Sequence, residues 1–309
     1  MLRRTYIGLD IREQGLRAMA IQRRGHQLAL AGAQQEAFAG QVLSAHFNQL
    51  NIHDEDGFCT TLKTTLAPLT GRNERVSVAL PDRAGQLFLV DVETPFNSRA
   101  EGVEVLRWQL KDSLPGKAQQ FALDFQVMDE REPGLKKVLV AVISRAVLAQ
   151  YEDLFARAGY AATVIDFHSL SLYNAYRSKI DLGQDFILIG VDGSQLSLQV
   201  FFDRVLSFCR CRSVDIDPAG VCRELNRSLV ACRSHFTGFG RLPVYLHTDW
   251  DKQGELFDAV DDVFEQSVQL LISPVSKLQN GFGNHLSAER TSGMVAALGA
   301  AERMMKGGA

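Results

Sequence analysis

No stretch of this 309-residue chain is apolar for long enough to cross a bilayer. The longest runs are Val138–Ile143 and Met294–Leu298, the latter extended to Ala301 across one glycine. Both fall far short of the roughly 20 residues a membrane helix needs. Nor does the start read as a secretory leader. Met1-Leu2-Arg3-Arg4 is basic, but the apolar run after it ends at Asp10, and no small-residue cleavage site follows. A basic excess is also missing: 33 Lys and Arg face 36 Asp and Glu, a net charge of -3, which excludes a general nucleic-acid binder. Cysteine is scarce and odd in number: Cys59, Cys209, Cys211, Cys222 and Cys232. That suits reduced thiols in a cytoplasm rather than a disulfide framework. Low-complexity tracts are absent. What is present, 46% hydrophobic and 22% charged residues, can bury a sizeable core and excludes a mainly disordered chain. The length bounds the chain to one large domain or two to three small ones.

Several chemistries lack their residues. Cys209-Arg210-Cys211 has too short a gap for a structural zinc site and no second pair follows, so it reads as packing. The seven histidines (His26, His46, His53, His168, His235, His247 and His285) are scattered, without a metal pair at helical spacing. They too read as ordinary packing residues. No G-x-S-x-G elbow marks a nucleophile.

The chain opens with alternation. Tyr6–Asp10, Gly15–Ile21 and His26–Gln34 predict three strands joined by short turns at Glu13-Gln14 and Arg23-Arg24-Gly25. Phe38–Asn51 and Asp54–Leu69 are expected helices, Gly71-Arg72-Asn73 a break, and Val76–Leu80 a strand ending at Pro81. The middle third predicts strands at Gln86–Val92, Phe121–Met128, Val138–Ile143 and Ala161–Asp166. Val138–Ile143 is continuously apolar, as in a strand buried on both faces. Helices are expected over Ser98–Ser113, from an N-cap at Ser144 to Gly159, and over Ser169–Ser178. The charged segment Asp129–Lys137 reads as a solvated loop. Trp108 and Trp250 read as packing residues.

The final third repeats the opening. Strands at Phe186–Gly190, Gln195–Phe202 and Val205–Ser213 are joined by Asp192-Gly193-Ser194 and Asp203-Arg204, and Asp217-Pro218 starts a helix. Val244–His247, Asp251–Phe264, Val268–Ile272 and Ala288–Met305 follow as strand, helix, strand and helix. The repeat lies in pattern rather than residue identity.

Two such halves resemble the actin, sugar-kinase and heat-shock-70 ATPase fold. The extra piece within the first half resembles FtsA and, more closely, the family of the type IV pilus assembly protein PilM and the GspL cytoplasmic region. Segments similar to that family occur in order: Ile7-Gly8-Leu9-Asp10-Ile11, Val78-Ala79-Leu80-Pro81, Trp108 to Leu114-Pro115, Leu123-Asp124-Phe125, Leu139–Val142, Val164-Ile165-Asp166 and Ala296–Ala301. The resemblance implies an α/β, actin-like (ribonuclease H-like) duplicated fold of two lobes with an inserted α+β subdomain. The first lobe would be 1–80 with 161–182, the insert 81–160, and the second lobe 183–309, with helix 288–305 packing back on the first.

The same resemblance implies a nucleotide site. Asp10 and Gly15 in the first half, and Gly190, Asp192, Gly193 and Ser194 in the second, stand where the family meets phosphates through turn N–H groups and a metal-binding carboxylate. This chain departs from the pattern. Asp10-Ile11 runs into Arg12-Glu13 where the family has glycine, and glycine is what lets a backbone approach a phosphate. After Val244-Tyr245-Leu246 the family has a Gly-Gly turn, and here His247-Thr248-Asp249-Trp250 contains no glycine. Two of the three nucleotide elements are eroded.

The reading favoured by these departures is a non-catalytic scaffold with no cofactor, lying in the cytoplasm under the inner membrane of a type IV pilus or type II secretion-like system. By resemblance it would bind the cytoplasmic tail of a PilN-type single-span protein as an extended peptide near the insert. Other platform proteins and self-association are further expected contacts, and no nucleic acid. GspL carries its own span, so a GspL-like reading would make these 309 residues a cytoplasmic region. The alternative is an ATP-binding switch of the same fold, with Mg-ATP on Asp10 and Asp192, and Gly193 and Ser194 donating contacts. An unrelated sugar or acid kinase ranks below both.

Overall fold

The computed structural model describes residues 4–25, 27–71, 74–132, 134–233, 239–278 and 288–307. Met1 to Arg3, His26, the Arg72-Asn73 part of the expected break, His235 and His285 lie outside them.

The opening alternation folds as β1 (Thr5–Arg12), β2 (Gly15–Arg24) and β3 (Gln27–Ala37), a meander whose first turn is the expected Glu13-Gln14 pair. After α1 (Glu55–Thr70), β4 (Arg75–Leu80) joins β1 in parallel, and β8 (Ala161–Phe167) joins β4. The sheet order is β3-β2-β1-β4-β8. The second half repeats it with β9 (Phe186–Asp192), β10 (Gln195–Phe202), β11 (Val205–Ser213), β12 (Val244–Thr248) and β13 (Val268–Leu270), ordered β11-β10-β9-β12-β13. The duplication read from the strand pattern is therefore a duplication of topology.

A third sheet, β5-β7-β6, is built from β5 (Gly85–Val92), β6 (Phe121–Glu132) and β7 (Leu135–Ser144), with α2 (Arg99–Leu110) on one face. As the central strand β7 was expected to be buried on both faces. In fact Val138, Val140 and Val142 are buried under α2, whereas Leu139, Ala141 and Ile143 are half-buried on the other face. Residues 129–132 and 135–137 extend the two arms of this hairpin, where a loop was expected. Helix α3 (Arg145–Ala158) ends at Gly159 in the left-handed conformation and packs Tyr151, Leu154 and Phe155 into the first sheet's core beside α1.

Phe38–Asn51 departs from its expected helix. Phe38, Val42 and Ala45 are buried at helix-like spacing, but the backbone is irregular, with one bridge from Leu43 to Ile52. Side-chain amides compete with the helix for its backbone groups. Asn51 accepts from the His46 N–H and donates to the carbonyls of His46 and Gln49, while Gln150 of α3 accepts from the N–H groups of Asn51 and Ile52.

Between the two large sheets run α4 (His168–Ile180) and α9 (Val295–Gly307). The C-terminal helix expected over 288–305 is two helices, α8 (Ala288–Gly293) and α9. It breaks at Gly293, a poor helix former whose carbonyl accepts instead from Arg17. Residues Val295 to Ala301 of α9 are buried all round, as a helix enclosed by neighbours must be. Its approach is close enough to require glycine: a Cβ on Gly8 of β1 would lie 2.0 Å from the Ala297 carbonyl, and one on Gly299 would lie 1.8 Å from the Ser171 carbonyl of α4. Of the remaining helices, α5 (Pro218–Arg233) and α6 (Gln253–Asp261) cover the second sheet, α6 being shorter than the expected 251–264, and the short α7 (Val275–Leu278) buries Val275 in the apolar cluster between the sheets. Among the described residues no helix is long and apolar enough to cross a membrane.

Candidate functional site

The ends of β1, β9 and β12 meet where the two sheets face one another, with the start of α4 between them. Each carries charge to the same point. Asp10, near the end of β1, is fully buried, and Asp192 closes β9 with its side chain 3% exposed. Asp249 follows β12. Strand ends expose unpaired backbone and allow the chain to turn, so polar side chains collect there.

Arg12 occupies the centre. Its Nε donates to Asp10 Oδ2 at 2.7 Å, Nη1 to Asp249 Oδ2 at 3.0 Å and Nη2 to Asp192 Oδ1 at 3.2 Å. One guanidinium thus spans three carboxylates from both sheets, a use suited to its planar fork of donors. Arg17 of β2 adds a second guanidinium to Asp249 Oδ2 at 2.8 Å. His168, the first residue of α4, lies 2.8 Å from Asp10 Oδ1 through Nδ1 and 2.9 Å from Asp192 Oδ2 through Nε2. Both ring nitrogens face carboxylate oxygens, so both must donate and the ring is an imidazolium. His247 sits 3.1 Å from Asp192 Oδ1, with its other ring nitrogen 2.9 Å from the Tyr176 hydroxyl.

The electrostatics agree. Burial disfavours charge on His168, yet Asp10 and Asp192 overcome it and raise its pKa to about 10. Burial likewise works against the carboxylates. Arg12 and His168 nevertheless hold Asp10 below its ordinary value, and His247, Arg12 and His168 hold Asp192 well below. Arg12, buried among three anions, is raised. Three carboxylates therefore face two guanidiniums, the His168 imidazolium and the His247 ring.

The second-half turn is closed from the same side. Gly193 adopts φ 55°, the left-handed region, between Asp192 and Gln195. Its N–H donates to Asp249 Oδ1 at 2.8 Å, and its carbonyl accepts from Trp250 Nε1 at 2.8 Å. The space beside Arg12, His168, Asp192 and Ser194 amounts to about 10 Å³, room for about one water. Of the residues expected at a nucleotide site, Asp10, Asp192, Gly193 and Ser194 are brought together. Gly15 and Gly190 serve packing instead: a Cβ on Gly15 would lie 2.2 Å from the Glu36 carbonyl, and one on Gly190 2.6 Å from Leu172. Arg12, Arg17, His168, His247 and Asp249 carry no local motif, and sequence reading missed their joint role. The one available signal was the charged, glycine-free residues at positions 12 and 247–250. Glu13 also borders this space, and its carboxylate accepts from the Ala45 N–H.

A second feature lies beside the insert. β8 is the outer strand of the first sheet. Four consecutive residues, Thr163 to Asp166, line a groove of about 490 Å³ with Phe125 and Ala141 of the third sheet. Side chains alternate along a strand, so a groove touching four in a row opens on the strand's edge. Arg99 and Asp124 pair at its rim, and Arg303 lies 4.0 Å from Asp166. Trp108, expected to pack, is 69% exposed on α2 beneath Lys111.

In sequence the chain matches no protein-family model and no curated protein. Its structure is another matter. Two sheets of the same order around a shared cleft are the actin-like ATPase fold. The chain is similar to a Bacteroides thetaiotaomicron protein of that fold and unknown function, at 8% identity over 87% of this chain and 91% of that one, with a TM-score of 0.54. Within that class its fold is PilM/GspL-like. A chain of the PilM–PilN type IV pilus biogenesis complex superposes with a TM-score of 0.82 at 18% identity, covering 98% of this chain and 99% of that one. The cytoplasmic domain of EpsL, an inner-membrane component of the Vibrio cholerae type II secretion system, gives a TM-score of 0.51 at 11% identity, over 96% and 95%.

Proposed function

We propose that this chain is a non-catalytic adaptor on the cytoplasmic side of the inner-membrane assembly platform of a type IV pilus or type II secretion-like system. It would capture the cytoplasmic tail of a PilN-type single-span protein. The observation that carries this reading is the fold shared, over 98% of the chain, with a component of a PilM–PilN complex. In this reading 1–80 with 161–182 and 183–309 act as the lobes and 81–160 as the insert, α3 being anchored in the first lobe. The tail would lie as an added strand along the free edge of β8, its side chains meeting Phe125 and Ala141. Other platform proteins and a second copy of the chain are further candidate partners.

Mg-ATP does not fit the residues present. A metal would compete with Arg12 for Asp10 and Asp192, and a phosphate would compete with Asp249 for the Gly193 N–H, in a space of about 10 Å³. We therefore read the nucleotide site as degenerate.

The test is calorimetric titration of the purified chain with a synthetic PilN-type tail peptide. Saturable binding is expected. Thr163→Arg, at an exposed groove position, should weaken it at least about tenfold, roughly 1.4 kcal/mol. No binding to the wild-type chain would overturn the adaptor reading, and Mg-ATP binding abolished by Asp192→Ala would restore the switch.

A further inference from the structure

The charged cluster does more than fill a disused site. Its ion pairs run between the two large sheets: Arg12 of β1 to Asp192 of β9 and to Asp249 beyond β12, and Arg17 of β2 to Asp249. His168 joins Asp10 of the first sheet to Asp192 of the second through one ring. All the participating side chains are at least four-fifths buried, the most exposed being Arg17 at 19%. In such surroundings ion pairs are barely screened by salt, and a charge left without its partner is strongly unfavourable. Separating the sheets at this point would strand Asp192 and Asp249 on the second sheet and leave Arg17 without its carboxylate on the first, while Asp10 keeps Arg12 and His168.

We propose that Arg12 and Asp249 form an internal latch that holds the two lobes in one closed arrangement without any ligand. The guanidinium stands between carboxylates of both lobes, where a shared cation would otherwise bridge them. The Asp249 carboxylate accepts the Gly193 N–H, where an anion would otherwise sit. Occupancy supports this. Each of the three carboxylates already has a cationic partner, so a metal or a phosphate would each have to displace a member rather than complete a set. Trp250 reinforces the second half of the latch by fixing the Gly193 carbonyl. The consequence is a two-lobed protein whose opening and closing are insensitive to nucleotide, with both lobes presented to a partner as one body. This inference goes beyond the adaptor reading and stands or falls without it.

The experiment measures the distance between the lobes by double electron–electron resonance. Spin labels attached through p-acetylphenylalanine replace exposed Lys63 on α1 and exposed Val230 on α5, which leaves the native cysteines untouched. The wild-type chain should give one narrow distribution, unchanged by millimolar Mg-ATP. Arg12→Gly should broaden and lengthen it, and methylguanidinium added to that variant should restore the narrow peak. A wild-type distance that shifts with Mg-ATP, or an Arg12→Gly distance identical to wild type, overturns the latch. Should Arg12→Gly fail to fold, Arg12→Lys keeps a cation that cannot span three carboxylates. It should broaden the distribution, and an unchanged peak there overturns the proposal equally. Loss of tail-peptide binding would leave all these distances in place, so the two readings fail separately.

Discussion

Asp192 shows how much one side chain's meaning depends on its company. In the sequence it opens an Asp-Gly turn that suits a hairpin as well as it suits a phosphate site. In the structure it is almost wholly enclosed and meets Arg12, His168 and His247 at once. His168 depends on it in return, and that dependence has a sign that can be measured. The folded pKa of about 10 lies above the ordinary 6.5. The stability contributed by His168 is thus fully present below pH 6.5 and is lost as pH rises through about 10. Asp10, Asp192, Arg12 and the buried Asp82 act on it directly, and Arg17, Asp249 and His247 face those partners. Because Asp10 and Asp192 are lowered from 3.8, their contribution is present above that value and fades only as pH falls below it. His168→Gln should therefore cost about 3–5 kcal/mol near neutral pH, the usual penalty for breaking a buried pair. Urea unfolding of wild type and variant from pH 6.5 to 10 reads this directly. The gap should narrow as pH rises, and a gap independent of pH would refute the imidazolium.

Among the elements, those set by local rules were legible. The two three-strand meanders were readable because tight turns and alternation specify hairpins without help from distant residues. Helix α3 was readable from its stripe and its terminal glycine. Phe38–Asn51 was not, because its buried positions have helical spacing while Asn51 and Gln150, the latter from a helix about 100 residues away, take the backbone bonds. The break before α9 was hidden for a similar reason: Gly293 gives its carbonyl to Arg17. The close approach of α9 yields its own prediction. Gly299→Ala puts a methyl group 1.8 Å from the Ser171 carbonyl, so α9 must retreat from α4 or tilt. Overpacking of this kind costs about 1–3 kcal/mol. A lowered thermal midpoint with an unchanged helical signal is expected, whereas a midpoint equal to wild type would mean that the α4–α9 contact yields easily.

For the whole molecule, the two sheets with their shared strand order make the duplication unmistakable, although the halves share little residue identity. The interior between them, with Met19, Tyr176, Phe186 and Leu298 in one apolar cluster, ties the lobes beneath the ionic cluster. A latch above and a common core below predict that the lobes unfold together. Calorimetry should show one transition, and its midpoint should not move with millimolar Mg-ATP, since only a ligand that binds the native state raises it. A midpoint that climbs with nucleotide concentration would reopen the switch. The candidate site was half legible on this scale. Asp10, Asp192 and Gly193 stood out through the repeat, while Arg12, His168, His247 and Asp249 did not, because the contacts that define them join residues as much as 237 positions apart.

The sequence by itself determined which segments are strands and helices over most of the chain, that they repeat, and that charged residues rather than glycines stand at positions 12 and 249 beside two of the strand ends. These are properties of short stretches, decided by backbone sterics, alternation and turn chemistry. Only the tertiary structure decided what those charged residues do. An arginine or an aspartate has no fixed energetic meaning in a sequence: its effect depends on how deeply it is buried and which opposite charge lies within about 3 Å. Folding brought Arg12 to three carboxylates and Asp249 to the Gly193 N–H, and in doing so joined residues from both sheets in one closed cluster.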